Sequence, residues 1–283
     1  MNIRKVGVIG AGEMGCGIAI DLSSFGYQTV LIDVSYEKLE QAKAKIKRDI
    51  RMYKMMKKEM AQLSQDSVLN NIKFSTDYLD LTDSEIIIEN VTENWEIKKA
   101  VYERIKDICK QDTIIAINTS CISITKIASY FTYPENVIGM HFMNPVPLKS
   151  LVETVKGFHT SEKTIEESKQ FLNSINKRSV LVNDFPGFVA NRLSHLFMNE
   201  AAFLVQDQVA SPEQIDMIFK QGYNHKMGPL ETADLIGLDT VVQSLQVLYE
   251  SYQDPKFRCC PLLKNMVNAG LLGKKSGKGF YEY

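Results

Sequence analysis

The sequence lacks any segment that points to a membrane or to export. None of its apolar runs is long enough to span a bilayer. The chain reaches its first predicted strand by Ile3 without the apolar stretch of a signal peptide. We therefore expect no membrane partner and a cytoplasmic location.

The sequence also lacks the charge and the ligand spacing of two common classes of protein. Its formal net charge is −1 over 283 residues, which argues against a nucleic-acid partner. The four histidines show no metal-ligand spacing, so we predict no metal site. The five cysteines include no C-x-x-C pair, which fits a reducing compartment.

A glycine-rich turn between two short apolar runs is the clearest signal in the chain. Residues 6–9 predict a strand, and Gly10-Ala11-Gly12-Glu13-Met14-Gly15 predicts a turn that leads into a helix. Gly10 allows the tight turn, Gly12 lets the backbone approach a diphosphate, and Gly15 lets the helix pack closely on the strand. The amides of the helix start, those of Glu13 and Met14 among them, then face the diphosphate.

An acid at the tip of the second strand selects the dinucleotide. Residues 29–32 predict this strand, and Asp33 follows it directly. Its carboxylate can accept hydrogen bonds from both ribose hydroxyls and repels a 2′-phosphate, and no arginine follows in Val34-Ser35-Tyr36. We therefore predict an NAD site that disfavours NADP, with a plain tight turn as the alternative.

The remainder of the first 184 residues alternates strands and helices. Such alternation predicts an α/β fold with a Rossmann-type, doubly wound, mostly parallel sheet covered on both faces. A break at Asn183-Asp184-Phe185-Pro186-Gly187 precedes a segment that reads as helical throughout. We therefore place an NAD-binding domain at 1–184 and an all-α C-terminal domain at 185–283. The predicted strands after the second one lie at residues 72–75, 85–89, 113–117, 137–140, 151–155 and 179–182.

Helical periodicity gives four further expectations. Residues 35–60 predict one long helix whose basic face is either solvated or a docking surface for an anionic partner. Residues 94–109 predict a helix with a buried apolar stripe of Ile97, Val101, Ile105 and Ile108. Residues 230–252 predict one continuous helix, and Ser211-Pro212-Glu213-Gln214 predicts the start of another.

The candidate chemistry lies where strands of the sheet end. Ligands of parallel sheets bind at the carboxyl ends of strands, which selects Glu93, Asn118-Thr119-Ser120 and His141-Phe142-Met143-Asn144, each predicted just past a strand. Histidine suits the proton transfer that accompanies hydride transfer. Glu153, on the next predicted strand, can orient His141 and stabilise its cation. A satisfied structural histidine is the alternative.

Three polar residues are candidates for holding a substrate. Ser120 and Asn144 can hydrogen-bond a substrate oxygen, although residues at such positions also cap loops. Asn191 lies on an apolar helix after the domain break, where an amide needs a partner. It either completes the site or joins helices.

These motifs together resemble the 3-hydroxyacyl-CoA dehydrogenases, in particular the bacterial 3-hydroxybutyryl-CoA dehydrogenases, over nearly the whole chain. The resemblance implies an NAD-binding domain, a helical C-terminal domain that forms a homodimer, and an acyl-CoA substrate held between them. It rests on Gly10-Ala11-Gly12-Glu13-Met14-Gly15-Cys16-Gly17-Ile18-Ala19, Asn118-Thr119-Ser120, Gly139-Met140-His141-Phe142-Met143-Asn144-Pro145, Leu151-Val152-Glu153, Pro186-Gly187-Phe188-Val189-Ala190-Asn191-Arg192 and Gly277-Lys278-Gly279-Phe280-Tyr281.

The resemblance also implies roles for the residues of this chain. His141 resembles the catalytic base and Glu153 its partner, while Ser120 and Asn191 resemble the groups that contact the reacting oxygen. The remaining members of the implied set are Asn144 as a support for the site, Asp33 at the adenosine ribose, and Glu93, Lys98 and Asn118 along the NAD site. The implied reaction is oxidation of (S)-3-hydroxyacyl thioesters, and its reverse.

Departures from the family pattern concern the substrate carrier. Where the family has a lysine pair, this chain has Met55-Met56-Lys57, and Cys121 replaces a serine. A basic helix with a displaced lysine pair also suits an acidic acyl carrier protein, so the carrier is either CoA or that protein. The same fold also suits a non-catalytic NAD-binding protein and a dehydrogenase of free hydroxyacids or sugar acids.

Overall fold

The structure, a computed structural model, describes residues 3–283, except the side chain of Glu59. The described chain falls into two compact units, one up to Asp184 and the other Phe185–Tyr283. Among the described residues, no helix is both long and apolar enough to cross a membrane.

The first unit is built on one eight-stranded sheet in the order β3-β2-β1-β4-β5-β6-β7-β8. Neighbouring strands are parallel except β6 and β7, which are antiparallel. The predicted Rossmann-type, mostly parallel sheet is therefore confirmed. The strands are β1 (Lys5–Ile9), β2 (Gln28–Ile32), β3 (Ile72–Ser75), β4 (Ile86–Glu89), β5 (Ile114–Ile117), β6 (Val137–Phe142), β7 (Leu151–Lys156) and β8 (Arg178–Asn183).

Six helices connect these strands, because parallel neighbours need a crossover. The direction of winding changes between β1 and β4, which are adjacent in the sheet. Such a switch point opens a crevice at the carboxyl ends of the strands. The helices are α1 (Glu13–Ser24), α2 (Tyr36–Met56), α3 (Gln65–Asn70), α4 (Trp95–Ile105), α5 (Ile124–Ala128) and α6 (Glu162–Ser174).

Apolar side chains explain why the elements of this unit pack as they do. β-branched residues fill the strands, and Ile86, Ile87 and Ile88 of β4 are fully buried. The largest apolar cluster joins the strands to α1, to the buried face of α2 and to Phe171 of α6. This cluster anchors α1, whose first turn faces the crevice.

The second unit is helical, as predicted. Its core packs Met198 of α7 against Leu245 of α10 and Leu263 of α11. Two buried carboxylates bind the C-terminal residues to this core. Asp234 accepts hydrogen bonds from the amides of Phe280 and Tyr281, and Asp216 accepts one from the Tyr281 hydroxyl. The helices are α7 (Ala190–Gln206), α8 (Pro212–Met217), α9 (Pro229–Ile236), α10 (Leu238–Tyr252) and α11 (Pro261–Asn268), with a π-helical turn at Ile218–Gly222.

Three of the helix predictions are wrong in extent, and one is confirmed. α4, expected over residues 94–109, ends at Ile105. α2 ends at Met56, because the backbone of Lys57 is extended and a 3₁₀ turn follows at Lys58–Met60. The helix expected at residues 230–252 is two helices, since Gly237 has a φ of 103° that breaks the helix. The capping box of Ser211 and Gln214 starts α8 as expected.

The predicted buried face of α4 is right at Val101 and Ile105, which are buried, and wrong at Ile97. Ile97 is 46% exposed, whereas Lys98 is 0% exposed. Lys98 shares the buried face with Val101 and Ile105, because it pairs with the fully buried Glu89 of β4 at 3.0 Å. An ion pair at the carboxyl end of β4 therefore places a charged residue on the buried face of α4.

A buried lysine holds the connection between β6 and β7. The ammonium of Lys177 lies 2.6 Å from a carboxylate oxygen of Asp21 on α1, and both residues are buried. The same ammonium donates to the carbonyls of Val146 and Lys149, at 2.8 Å each. These contacts fix the loop that leads from His141 to Glu153.

Replacing Lys177 by methionine is expected to lower the free energy of unfolding by about 3 kcal/mol, because it leaves the buried Asp21 carboxylate and the buried Val146 carbonyl without their cation. Urea denaturation measures this. Lys169→Met on α6, where the ion pair with Glu166 is exposed, is the matched control and should change stability by less than about 1 kcal/mol. Equal effects of the two variants would contradict the buried clamp.

Candidate active site

The glycine turn after β1 has the geometry that a dinucleotide site requires. Gly10 has a φ of +93°, which favours glycine, and its amide donates to the carbonyl of Ile32 at 2.8 Å. A Cβ at Gly15 would lie 1.8 Å from the carbonyl oxygen of Gly10, so only glycine permits this helix to pack so closely. A Cβ at Gly12 would meet nothing within 4 Å, so the open side of the turn faces the crevice.

Asp33 ties the end of β2 to this turn. One carboxylate oxygen accepts from the amide of Ala11 at 2.7 Å, and the other accepts from the amide of Val34 at 2.7 Å. Each oxygen keeps a second lone pair, which suits the two hydroxyls of a ribose. The carboxylate is therefore fixed in position before a nucleotide binds.

A cavity of about 540 Å³ lies in front of the glycine turn, in the range of small-ligand and cofactor sites. It includes Gly10, Gly12, Glu13 and Asp33, four of the predicted cofactor residues. Turn, helix start and carboxylate thus share one cavity, which fits the adenosine diphosphate part of NAD. Other residues that line it are Val34, Lys38, Gln41, Lys45, Tyr78, Asn90, Val91, Thr92, Ile97 and Val101.

Cys16 lies at the start of α1 but is not activated there. Its thiol is buried and donates to the carbonyl of Ala11 at 3.2 Å. Burial raises the pKa of Cys16 to about 12, so the thiol stays protonated at neutral pH. This agrees with a packing role rather than a reactive one.

His141 and Glu153 lie directly opposite each other in the sheet. The prediction that His141 follows its strand is wrong, because β6 extends to Phe142 and pairs His141 with Glu153 of antiparallel β7. Their side chains meet at 3.0 Å between Nδ1 and Oε2, with 8% and 4% of the two residues exposed. The strand pairing itself therefore sets the imidazole beside the carboxylate.

This geometry determines what the imidazole can do. A carboxylate only accepts hydrogen bonds, so the Nδ1 that faces it carries the proton, and Nε2 of the neutral ring carries the lone pair. A proton taken up at Nε2 creates a cation that Glu153 stabilises. The pair is thus arranged as a general base with an orienting carboxylate.

The loop with Ser120 is anchored by Glu93. One carboxylate oxygen of Glu93 accepts from the Thr119 hydroxyl at 2.5 Å and from the amides of Ser120 and Cys121 at 2.9 and 3.0 Å. Glu93 therefore shapes the loop after β5, where Ser120 is half-buried. Contact of Glu93 with NAD remains a prediction.

Asn118 joins the ends of three strands. Its amide group donates to the Asn90 side chain at 2.8 Å, and its side-chain oxygen accepts from the amide of Phe142 at 3.1 Å. Asn90 lines the dinucleotide cavity, and Phe142 follows His141. Asn118 thus connects the cavity to the strand of the imidazole.

Lys98 belongs to a buried cluster at the end of β4. Its ammonium lies 3.0 Å from Glu89 and 3.8 Å from Glu93. The Tyr102 hydroxyl donates to Glu89 at 2.6 Å, and burial raises the pKa of Tyr102 above its usual range. Lys98 is therefore placed to set the position of Glu93, and its contact with NAD stays a prediction.

Asn144 and Asn191 lie on different units. Asn144 is exposed on the loop after β6. Asn191 is half-buried near the start of α7, and its carbonyl accepts from Nδ1 of His195 at 2.9 Å. Their predicted roles rest on the resemblance.

Sequence reasoning missed the residues that support the predicted ones. Glu89 holds Lys98, Tyr102 donates a hydrogen bond to Glu89, and Asn90 holds Asn118. Glu89 carried a signal that could have been read, because a carboxylate directly after three isoleucines in a buried strand requires a cation nearby.

The class of protein is an NAD-binding dehydrogenase, as defined by the glycine turn, by Asp33 and by the imidazole–carboxylate pair. The chain belongs to the 3-hydroxyacyl-CoA dehydrogenase family. The family model for the 3-hydroxyacyl-CoA dehydrogenase NAD binding domain matches residues 5–185, and the model for the C-terminal domain matches residues 187–283. It is accordingly an oxidoreductase whose cofactor is NAD.

Named relatives match along the full chain. A probable 3-hydroxybutyryl-CoA dehydrogenase of Deinococcus radiodurans is 44% identical over 279 residues, 99% of this chain and 100% of that protein. The 3-hydroxybutyryl-CoA dehydrogenase of Bradyrhizobium diazoefficiens is 42% identical over 281 residues, 99% of this chain and 96% of that protein. The solved structure of the (S)-3-hydroxybutyryl-CoA dehydrogenase from Ralstonia eutropha has a TM-score of 0.92 at 41% identity, covering 100% of this chain and 99% of that one.

Proposed function

We propose that this protein oxidises (S)-3-hydroxybutyryl-CoA to acetoacetyl-CoA with NAD, and catalyses the reverse reduction. The observation that carries the proposal is the 3.0 Å contact of His141 with Glu153 on strands of the sheet that also forms the dinucleotide cavity. The short acyl chain and the CoA carrier are supported by the names of the relatives at 42 and 44% identity.

His141 acts as the base in the oxidative direction. Its Nε2 accepts the hydroxyl proton, and Glu153 neutralises the imidazolium that forms. NAD, when bound, supplies the hydride acceptor for the hydrogen at C3 of the substrate. In reduction, His141 returns the proton to the oxygen.

Ser120 and Asn191 hold the reacting oxygen, and Asn144 supports the site. The support for Ser120 is the loop geometry, because Glu93 binds the Ser120 amide and so fixes its backbone. Asn191 comes from the second domain, residues 185–283, while the NAD-binding domain, residues 1–184, supplies the other groups.

NADH formation at 340 nm tests this function. The wild-type protein should oxidise (S)-3-hydroxybutyryl-CoA with NAD, and kcat/KM should fall about a hundredfold or more with NADP, because Asp33 repels its 2′-phosphate. The (R) enantiomer and free 3-hydroxybutyrate are the controls and should give little turnover. Turnover of the free acid, or turnover only with an acyl-carrier-protein thioester, would contradict the CoA assignment.

We also propose that the second domain forms a homodimer. Five apolar residues of this domain each expose more than half of their surface: Leu193, Val209, Ile218, Tyr223 and Leu235. Exposed apolar surface of this kind is typical of protein contacts. Sedimentation equilibrium at micromolar concentration should give twice the mass of one chain, and a mass of one chain would contradict the dimer.

A further inference from the structure

A lysine on α2 bridges two carboxylates at the edge of the dinucleotide cavity. The ammonium of Lys45 lies 2.7 Å from an oxygen of Glu13 and 2.6 Å from an oxygen of Asp49. Glu13 is the first residue of α1, and both Glu13 and Lys45 line the cavity. Asp49 lies one turn beyond Lys45 on α2.

The two carboxylates differ in how firmly they are held. The Asp49 side chain is 6% exposed, whereas the Glu13 side chain is 57% exposed. Asp49 therefore fixes Lys45 from the protein interior. Glu13 can turn into solvent without breaking other packing, because more than half of its side chain already faces water.

Glu13 creates an electrostatic problem for a dinucleotide. A carboxylate in the first turn of a helix occupies the favourable field of the helix N-terminus. The diphosphate of NAD requires that same field and the same amides. Without a compensating cation, Glu13 would repel the diphosphate.

We propose that Lys45 is a cofactor-binding residue: anchored by Asp49, it supplies the cation for the NAD diphosphate, and Glu13 is the partner that it gives up when NAD binds. When NAD binds, Lys45 thus exchanges its ion pair with the exposed Glu13 carboxylate for an ion pair with the diphosphate. Glu13 acts against binding, and its charge limits the affinity for the dinucleotide.

The charge state of Lys45 supports this exchange. Burial of the ammonium acts to lower the pKa of Lys45, but hydrogen bonds and charges from Asp49 and Glu13 outweigh it and raise the pKa above its ordinary value. The side chain is therefore a cation throughout the neutral range.

Direct titration with NADH, without any thioester, tests the proposal through opposite effects of two variants. Lys45→Met should raise the Kd by about tenfold or more, because a charge-assisted contact is lost. Glu13→Gln should lower the Kd by about threefold, because a repulsive charge of ordinary surface strength is removed. ADP-ribose, which contains the same diphosphate, should show the same changes as NADH.

Lys43→Met is the matched control. Lys43 has the same charge on the same helix but pairs with Glu40 and lies over the ring of Phe74. It should leave the Kd unchanged.

A purely structural bridge between α1 and α2 makes a different prediction. Lys45→Met would then lower the thermal midpoint and leave the Kd near the wild-type value, or Glu13→Gln would weaken binding as well. Either result would overturn the proposal, as would an effect on NADH that ADP-ribose does not share. Since the proposal rests on NAD binding alone, wild-type NADH binding without thioester turnover would count only against the substrate assigned above.

Discussion

The antiparallel pairing of β6 with β7 is the constraint on which the candidate active site depends. It is the one antiparallel pair among the sheet neighbours, and its register sets His141 against Glu153. Burial of two polar side chains costs free energy unless they find hydrogen-bond partners, and here each is the partner of the other. Sliding the register by one residue would move Glu153 to the opposite face of the sheet. The ammonium of Lys177 donates to two carbonyls of the loop between these strands and so holds the loop in place.

The dinucleotide cavity and the imidazole are joined by side chains at the ends of neighbouring strands. Asn118 bonds Asn90 at the cavity and the amide next to His141. Glu93 anchors the Ser120 loop, and buried Lys98 lies between Glu93 and the strand that ends at the cavity. A hydride reaction requires cofactor and base to be fixed relative to each other. These contacts give that rigidity within the NAD-binding domain.

The features that could be predicted from the sequence are those with local causes. The turn at Gly10 and Gly15 needs only a strand, a positive φ and a close approach, and each leaves a signature within a few residues. The sequence also suggested Glu153 as a neighbour of His141. The register of β6 against β7, however, depends on pairing between residues far apart in the sequence, which local patterns do not encode. On α4 the burial of Val101 and Ile105 was predicted correctly, but Ile97 is exposed and Lys98 is buried by its ion pair with a carboxylate on a separate strand. Apolar periodicity has no means of representing such an ion pair.

We propose that His141 and Glu153 act as one catalytic unit, and a double-mutant cycle in kcat tests this proposal. In the wild-type background, Glu153→Gln should reduce kcat by about a hundredfold or more. In a His141→Ala background the same change should lower kcat only slightly, because the effects of residues that act as a unit are non-additive. NADH affinity should stay near the wild-type value throughout. If the two single-variant losses in kcat multiply in the double variant, the two residues act independently, which would contradict this proposal.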